Sequence, residues 1–145
     1  YLSEDKNILM FLRDEVSKDS NWRVQEVLAK SFDEFCKIIG YEKALPVIDD
    51  WLKNSNHNTR RAVTEGLRIW TGRPYFKANP NEAIRRLAAL RDDPSEYVRK
   101  SVGNALRDIS KKYPELIRVE LSTWSLETKG IKQVYQLANK LLIKS

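Results

Sequence analysis

Four stretches of the 145-residue chain can be laid over one another: NWRVQEVLAKSFDEF from Asn21, NTRRAVTEGLRIW from Asn58, SEYVRKSVGNALRDI from Ser95 and KGIKQVYQLANKL from Lys129. Val24, Thr59, Val98 and Ile131 fall on one shared place, and Leu28, Val63, Val102 and Tyr135 on another. The starts recur at about 33 to 39 residues, the period of a repeating helical hairpin. A hairpin of that size cannot bury its apolar face alone, so neighbouring copies must stack. Almost every segment has helical spacing, while alternating runs joined by Asn-Gly turns are missing. The fold is therefore expected to be all-α.

Each of the four stretches is preceded by a segment that reads as a partner helix: Glu4 to Lys18, Tyr41 to Asn54, Asn81 to Arg91 and Pro114 to Leu126. Punctuation agrees with these divisions. Asn21, Asn58 and Ser95 stand where an N-cap is wanted, and Gly40, Gly72, Pro80, Pro94 and Pro114 lie at helix ends or starts. The V-R-x-x-V core of the third unit, from Val98, resembles the second helix of HEAT repeats. That resemblance implies a right-handed solenoid of about four helix pairs, with residues 1–145 forming one repeat domain.

Composition fits a single globular domain, at 41% hydrophobic and 32% charged. No run approaches the roughly 18 apolar residues of a membrane span, and no charged-then-apolar leader opens the chain. The expectation is a soluble, intracellular protein. Cys36, the single cysteine, sits in the apolar pattern FDEFCKII and reads as core in a reducing compartment. Because the first residue is Tyr1, the chain reads as a fragment or processed product. The net charge of +6 permits a polyanionic partner without requiring one.

The chemistry-bearing residues lie on the second helix of each pair. Residues four apart share a helix face, which gives three polar stripes: Trp22, Glu26 and Lys30; His57, Arg61 and Glu65; Lys100, Asn104 and Asp108. A neighbouring register position adds Gln25, Arg60, Arg99 and Lys132. Second helices line the concave side of HEAT-type solenoids, so these stripes are expected side by side on one surface. One reading is a solvated face with ordinary i,i+4 pairs. The other is a groove in which Arg and Lys hold a phosphate backbone while carboxylates meet a cationic part of the ligand, since carboxylates facing a polyanion otherwise cost binding energy. The long connection TGRPYFKANP, Thr71 to Pro80, brings together Arg73, Tyr75, Phe76 and Lys77, a mix that can touch phosphates or pack over adjoining helices; packing is the expectation. Trp51, Trp70 and Trp124 read as core. With His57 the single histidine, a His-based metal site or catalytic triad cannot be built, and no Gly-rich phosphate loop or paired Cys appears.

The stretches WRVQE, RRAVTEGLR and YVRKSVGNALRDISKKYP resemble the bacterial DNA alkylation repair glycosylases of the AlkC and AlkD type, over residues Asn21 to Pro114. The resemblance implies hydrolytic excision of cationic N-alkylated bases, such as 3-methyladenine or 7-methylguanine, from duplex DNA, with the base left largely in the duplex in AlkD-like members. Glu26 matches the AlkD-type carboxylate that follows a Trp by four residues, Trp22 matches that Trp, and Arg61 matches an Arg placed on the DNA. Glu65 and Asp108 are similar to acidic residues of AlkC-like members. The implied assignments are Glu26, Glu65 and Asp108 as catalytic acids, and Trp22, Arg60, Arg61, Arg99, Lys100 and Asn104 as DNA contacts. No metal or cofactor is implied, and the expected protein is a monomer in the bacterial cytoplasm, acting on the nucleoid. A carboxylate beside the sugar suits an oxocarbenium-like transition state and can position water, and a Trp face attracts a cationic nucleotide. The chain departs from the family pattern where Asn104 stands for a second groove Trp, where Glu26 stands for Asp, and where the N-terminal repeats are missing. These departures motivate one rival, a HEAT-like DNA-binding paralogue without catalysis; a second, a solenoid that binds an acidic peptide, follows because helical repeats commonly bind proteins.

Overall fold

The computed structural model describes residues 22–142, with the backbone alone for Trp22 and Val24. The helix expected over Glu4–Lys18 and the Asn21 cap lie outside the described residues. Eight helices and no strands occur among the described residues: α1 Trp22–Ile39, α2 Tyr41–Leu52, α3 His57–Trp70, α4 Pro74–Ala78, α5 Pro80–Ala88, α6 Glu96–Ser110, α7 Pro114–Ser122 and α8 Lys129–Asn139. No helix among them is long and apolar enough to cross a membrane. The chain divides into two compact units, Tyr1–Gly66 and Leu67–Ser145.

In the first unit α1 packs on α2. Gly40 joins them at φ 90°, a left-handed conformation that L side chains rarely adopt. Leu28, Phe32 and Cys36 on α1 and Ala44 and Ile48 on α2 are fully buried. Phe32 and Trp51 stack with ring centroids 4.1 Å apart. Pro46 stands inside α2 without breaking it; it is exposed, so the carbonyl deprived of its N–H partner has water available.

The second unit shows the repeat most plainly. Within each pair α5 packs on α6 and α7 on α8, while α6 meets α8 and α5 meets α7. First helices thus form one layer and second helices another. Val98, Val102, Ala105 and Leu106 of α6 and Val134 and Ala138 of α8 are fully buried, each Val or Leu side chain contributing about 1.5–3 kcal/mol. The closest approach is at Gly103, where an added Cβ would stand 2.7 Å from Leu137 Cβ. Gly103→Ala must therefore push α8 outward or shift Leu137, and is expected to destabilise by about 1–3 kcal/mol in chemical denaturation.

Helix ends follow local hydrogen bonding. Ser95 caps α6 as expected, its hydroxyl accepting from Val98 N–H. For α3 the expectation of Asn58 is corrected to Asn56: the helix begins at His57, and Asn56 Oδ1 accepts the Asn58 N–H at 2.8 Å. Asn56, rather than Asn58, thus satisfies one of the orphan first-turn donors. Pro74, Pro80 and Pro114 each occupy the first turn of a helix. The helix α7 stops at Ser122, short of the expected Leu126, because the Ser122 and Thr123 hydroxyls bond to the Val119 and Glu120 carbonyls and Trp124 N–H turns back to Leu121. At the start of α5, Arg86 donates to Glu82 at 2.7 Å and, with Arg85 beside it, holds the Glu82 carboxyl below the usual range.

The Thr71–Pro80 connection folds into the short helix α4, and Phe76 is completely buried against Trp70, with centroids 5.9 Å apart. Packing is the role its aromatic residue takes. Trp51, Trp70 and Trp124 are all buried, as is Cys36, while His57 is exposed.

Candidate functional site

In the first unit, Glu26 and Lys30 are exposed on α1, and their side chains make no hydrogen bond or ion pair among the described residues. The side chain of Trp22 lies outside the description. Arg61 and Glu65 are half-buried, one helical turn apart on α3. Arg60 is only 8% exposed, and its guanidinium donates to the Asn54 carbonyl at 2.8 Å.

In the second unit, Lys100, Asn104 and Asp108 follow one another at four-residue steps along the unburied side of α6. Lys100 is exposed and pairs with Glu96 at 3.5 Å. Asn104 is half-buried, its side chain unbonded among the described residues. Asp108 is surrounded by cations, with Arg68 Nη1 at 3.4 Å, Arg107 Nε at 3.7 Å and Lys111 Nζ at 3.8 Å. Arg99 donates to the Asp93 carbonyl at 2.7 Å and to Gln133 Oε1 at 3.3 Å.

A structural device emerges at one register position. Arg60 and Arg99 occupy the same place in successive repeats, and each ties its guanidinium to the carbonyl six residues earlier, in the loop before its helix. That carbonyl belongs to a residue, Asn54 or Asp93, whose own side chain accepts the N–H two residues on. Arg60 and Arg99 are thus engaged in holding inter-helix loops. Sequence reasoning did not single out Arg68, Arg107 and Lys111 as site residues. Their signal was present: Arg68 stands seven residues after Arg61 and three after Glu65, and Arg107 three after Asn104, all spacings that share a helix face. Among the described residues no group of His, Cys, Asp and Glu could hold a metal ion.

Stacked helix pairs whose second helices carry mixed polar faces, rich in Arg and Lys, define a helical-repeat protein of HEAT-like fold. From residue 2 to residue 123 the chain matches the family described as DNA alkylation repair enzyme, and it belongs to that family. It is similar to AlkD2 from Streptococcus mutans, with 76% identity and a TM-score of 0.93 over 97% of this chain and 68% of that one. The structure of smu.31 from Streptococcus mutans UA159 is comparably similar, at 75% identity and a TM-score of 0.93 over 97% of this chain and 70% of that one. Pseudomonas fluorescens alkylpurine DNA glycosylase AlkC, bound to DNA containing an abasic site analog, is 28% identical with a TM-score of 0.67, over 94% of this chain and 42% of that one. The curated relative YhaZ of Bacillus subtilis strain 168 is 36% identical over 91 residues, 60% of this chain, so that the chain spans about a quarter (26%) of that relative's length.

Proposed function

We propose that the chain engages duplex DNA in alkylation repair and releases cationic N-alkylated purines by hydrolysing the N-glycosidic bond. The observation that carries this reading is Glu26 on α1 of the first unit, an exposed carboxylate that no described cation engages. Arg61 in the first unit, and Arg68, Lys100, Arg107 and Lys111 in the second, supply backbone-binding charge. An alkylated purine is already a cationic leaving group, so its departure needs little acid assistance, and the barrier lies in the positive charge that grows on the sugar. A carboxylate whose charge is not compensated can stabilise that sugar and orient the attacking water. Glu26 is the principal candidate for this role, with Glu65 as its supporting acid and Trp22 as an aromatic contact. The likeness to AlkC, a glycosylase bound to DNA, supports the same direction. Such a protein acts as a monomer on the bacterial nucleoid in the cytoplasm.

A second reading, DNA binding without excision, is favoured by Asn104 at the place of a second groove Trp and by the three cations that compensate Asp108.

Both DNA readings are tested by duplex affinity across a salt series. Five phosphate contacts predict a slope of about −4 to −5 in log affinity against log salt. Absence of duplex binding at low salt, with binding of an acidic peptide instead, would replace both with a protein-interaction role.

A further inference from the structure

Asn104 stands in the middle of α6, one helical turn from Lys100 and one from Asp108. The charged side chains near it on this helix have partners in the fold: Lys100 pairs with Glu96 at 3.5 Å, and Arg107 and Lys111 approach Asp108 at 3.7 and 3.8 Å. The Asn104 carboxamide makes no hydrogen bond among the described residues, although the side chain is half-buried and Gly103 and Ala105 on either side of it are buried. Stability does not account for this residue. Asn is among the poorer helix formers because its amide competes with the backbone for hydrogen bonds, and capping, the role that usually offsets that cost, belongs here to Ser95. A local rule broken inside an otherwise regular helix is expected at a functional position.

The chemistry of the carboxamide limits what its partner is. It carries two N–H donors beside a carbonyl acceptor. A phosphate offers acceptors alone and leaves the carbonyl unmatched. A purine edge offers the complement: adenine presents an amino donor beside a ring-nitrogen acceptor in the major groove, and guanine presents the same pair in the minor groove. Asn is also short, so it reaches a base only where its helix lies close over a groove. Lys100 and Arg107, about 10 Å apart along α6, flank Asn104 over a span comparable with groove widths of about 6 Å and 12 Å.

We infer that Asn104 reads a purine base edge in duplex DNA by a paired donor and acceptor contact, giving the surface a base preference that phosphate contacts do not supply. This inference rests on the proposed engagement of duplex DNA and deepens it, adding direct base readout to backbone grip.

The test measures the affinity of the full chain, wild type and Asn104→Ala, for three duplexes of one sequence across a salt series: unmodified, with inosine in place of guanine, and with 7-deazaadenine in place of adenine. Inosine lacks the amino donor that guanine shows in the minor groove, and 7-deazaadenine lacks the ring-nitrogen acceptor that adenine shows in the major groove, so the two duplexes tell which edge is read. The expected result is that wild type binds one of the substituted duplexes about 2- to 10-fold more weakly than the unmodified one, the cost of a lost hydrogen bond, and that Asn104→Ala has lost this difference. Asn104→Ala keeps the wild-type salt slope, since no phosphate contact is removed, and its melting midpoint by circular dichroism is no lower, Ala being the better helix former. A preference that survives in Asn104→Ala, or a wild type that binds all three duplexes alike, overturns the inference while leaving the DNA reading intact. So does a salt slope lowered by about one in Asn104→Ala, the mark of a phosphate contact. If wild type does not bind unmodified duplex at low salt, the proposed function falls and this inference with it.

Discussion

Glu26→Gln is expected to reduce release of alkylated base from duplex DNA by about 100- to 1,000-fold, the usual cost of removing one transition-state electrostatic group, while leaving duplex affinity nearly unchanged. The substitution keeps the shape of the side chain and removes only its charge. Because Glu26 is exposed and holds no partner among the described residues, nothing in the fold depends on it, and a surface change of this kind shifts stability by about 0.5 kcal/mol or less. The effect therefore appears in the single-turnover rate of base release, with the denaturation midpoint as control. If Glu26→Gln released base as fast as wild type, the chemistry would lie with another carboxylate, and Glu65→Gln would be the next comparison.

Trp70→Ala is expected to destabilise the second unit by about 3–5 kcal/mol, read as a lower midpoint in denaturant. Trp70 is 1% exposed and stacks on the fully buried Phe76 with an interplanar angle of 22°. Its removal leaves a large void and deprives the Thr71–Pro80 connection of the surface that orders it. Against a total stability of about 5–15 kcal/mol, such a loss leaves the unit marginal or unfolded. A small effect would mean that the connection repacks independently of α3, and that Phe76 alone anchors it.

How much of this was legible beforehand differs between elements. The helices came through because their apolar residues recur every three to four positions: Val98, Val102, Ala105 and Ile109 are all buried as that spacing demands. Boundaries were less legible, since they turn on single hydrogen bonds. Asn56 and Asn58 are chemically identical, and only the backbone decides which one lies before the first helical residue. The Ser122 and Thr123 hydroxyls end α7 although the sequence continues with apolar Trp124 and Leu126. In the site, helical spacing placed Lys100, Asn104 and Asp108 on one face, but it gave no way to tell an Arg that reaches outward from one that holds its own loop. Arg60 and Arg99 are engaged with backbone carbonyls, a partnership across six residues that a four-residue stripe does not encode. Likewise the company Asp108 keeps depends on Arg68, near the C-terminal end of α3, coming within 3.4 Å of a residue 40 positions further along the chain.

The most direct test of the account is release of free alkylated base from methylated duplex DNA, measured by chromatography with the folded chain in excess. Release of 3-methyladenine or 7-methylguanine is expected to rise with the amount of protein and to fall about 100- to 1,000-fold with Glu26→Gln. No release from a chain that is folded and binds duplex would contradict it, and would leave DNA binding without excision as the activity this surface supports.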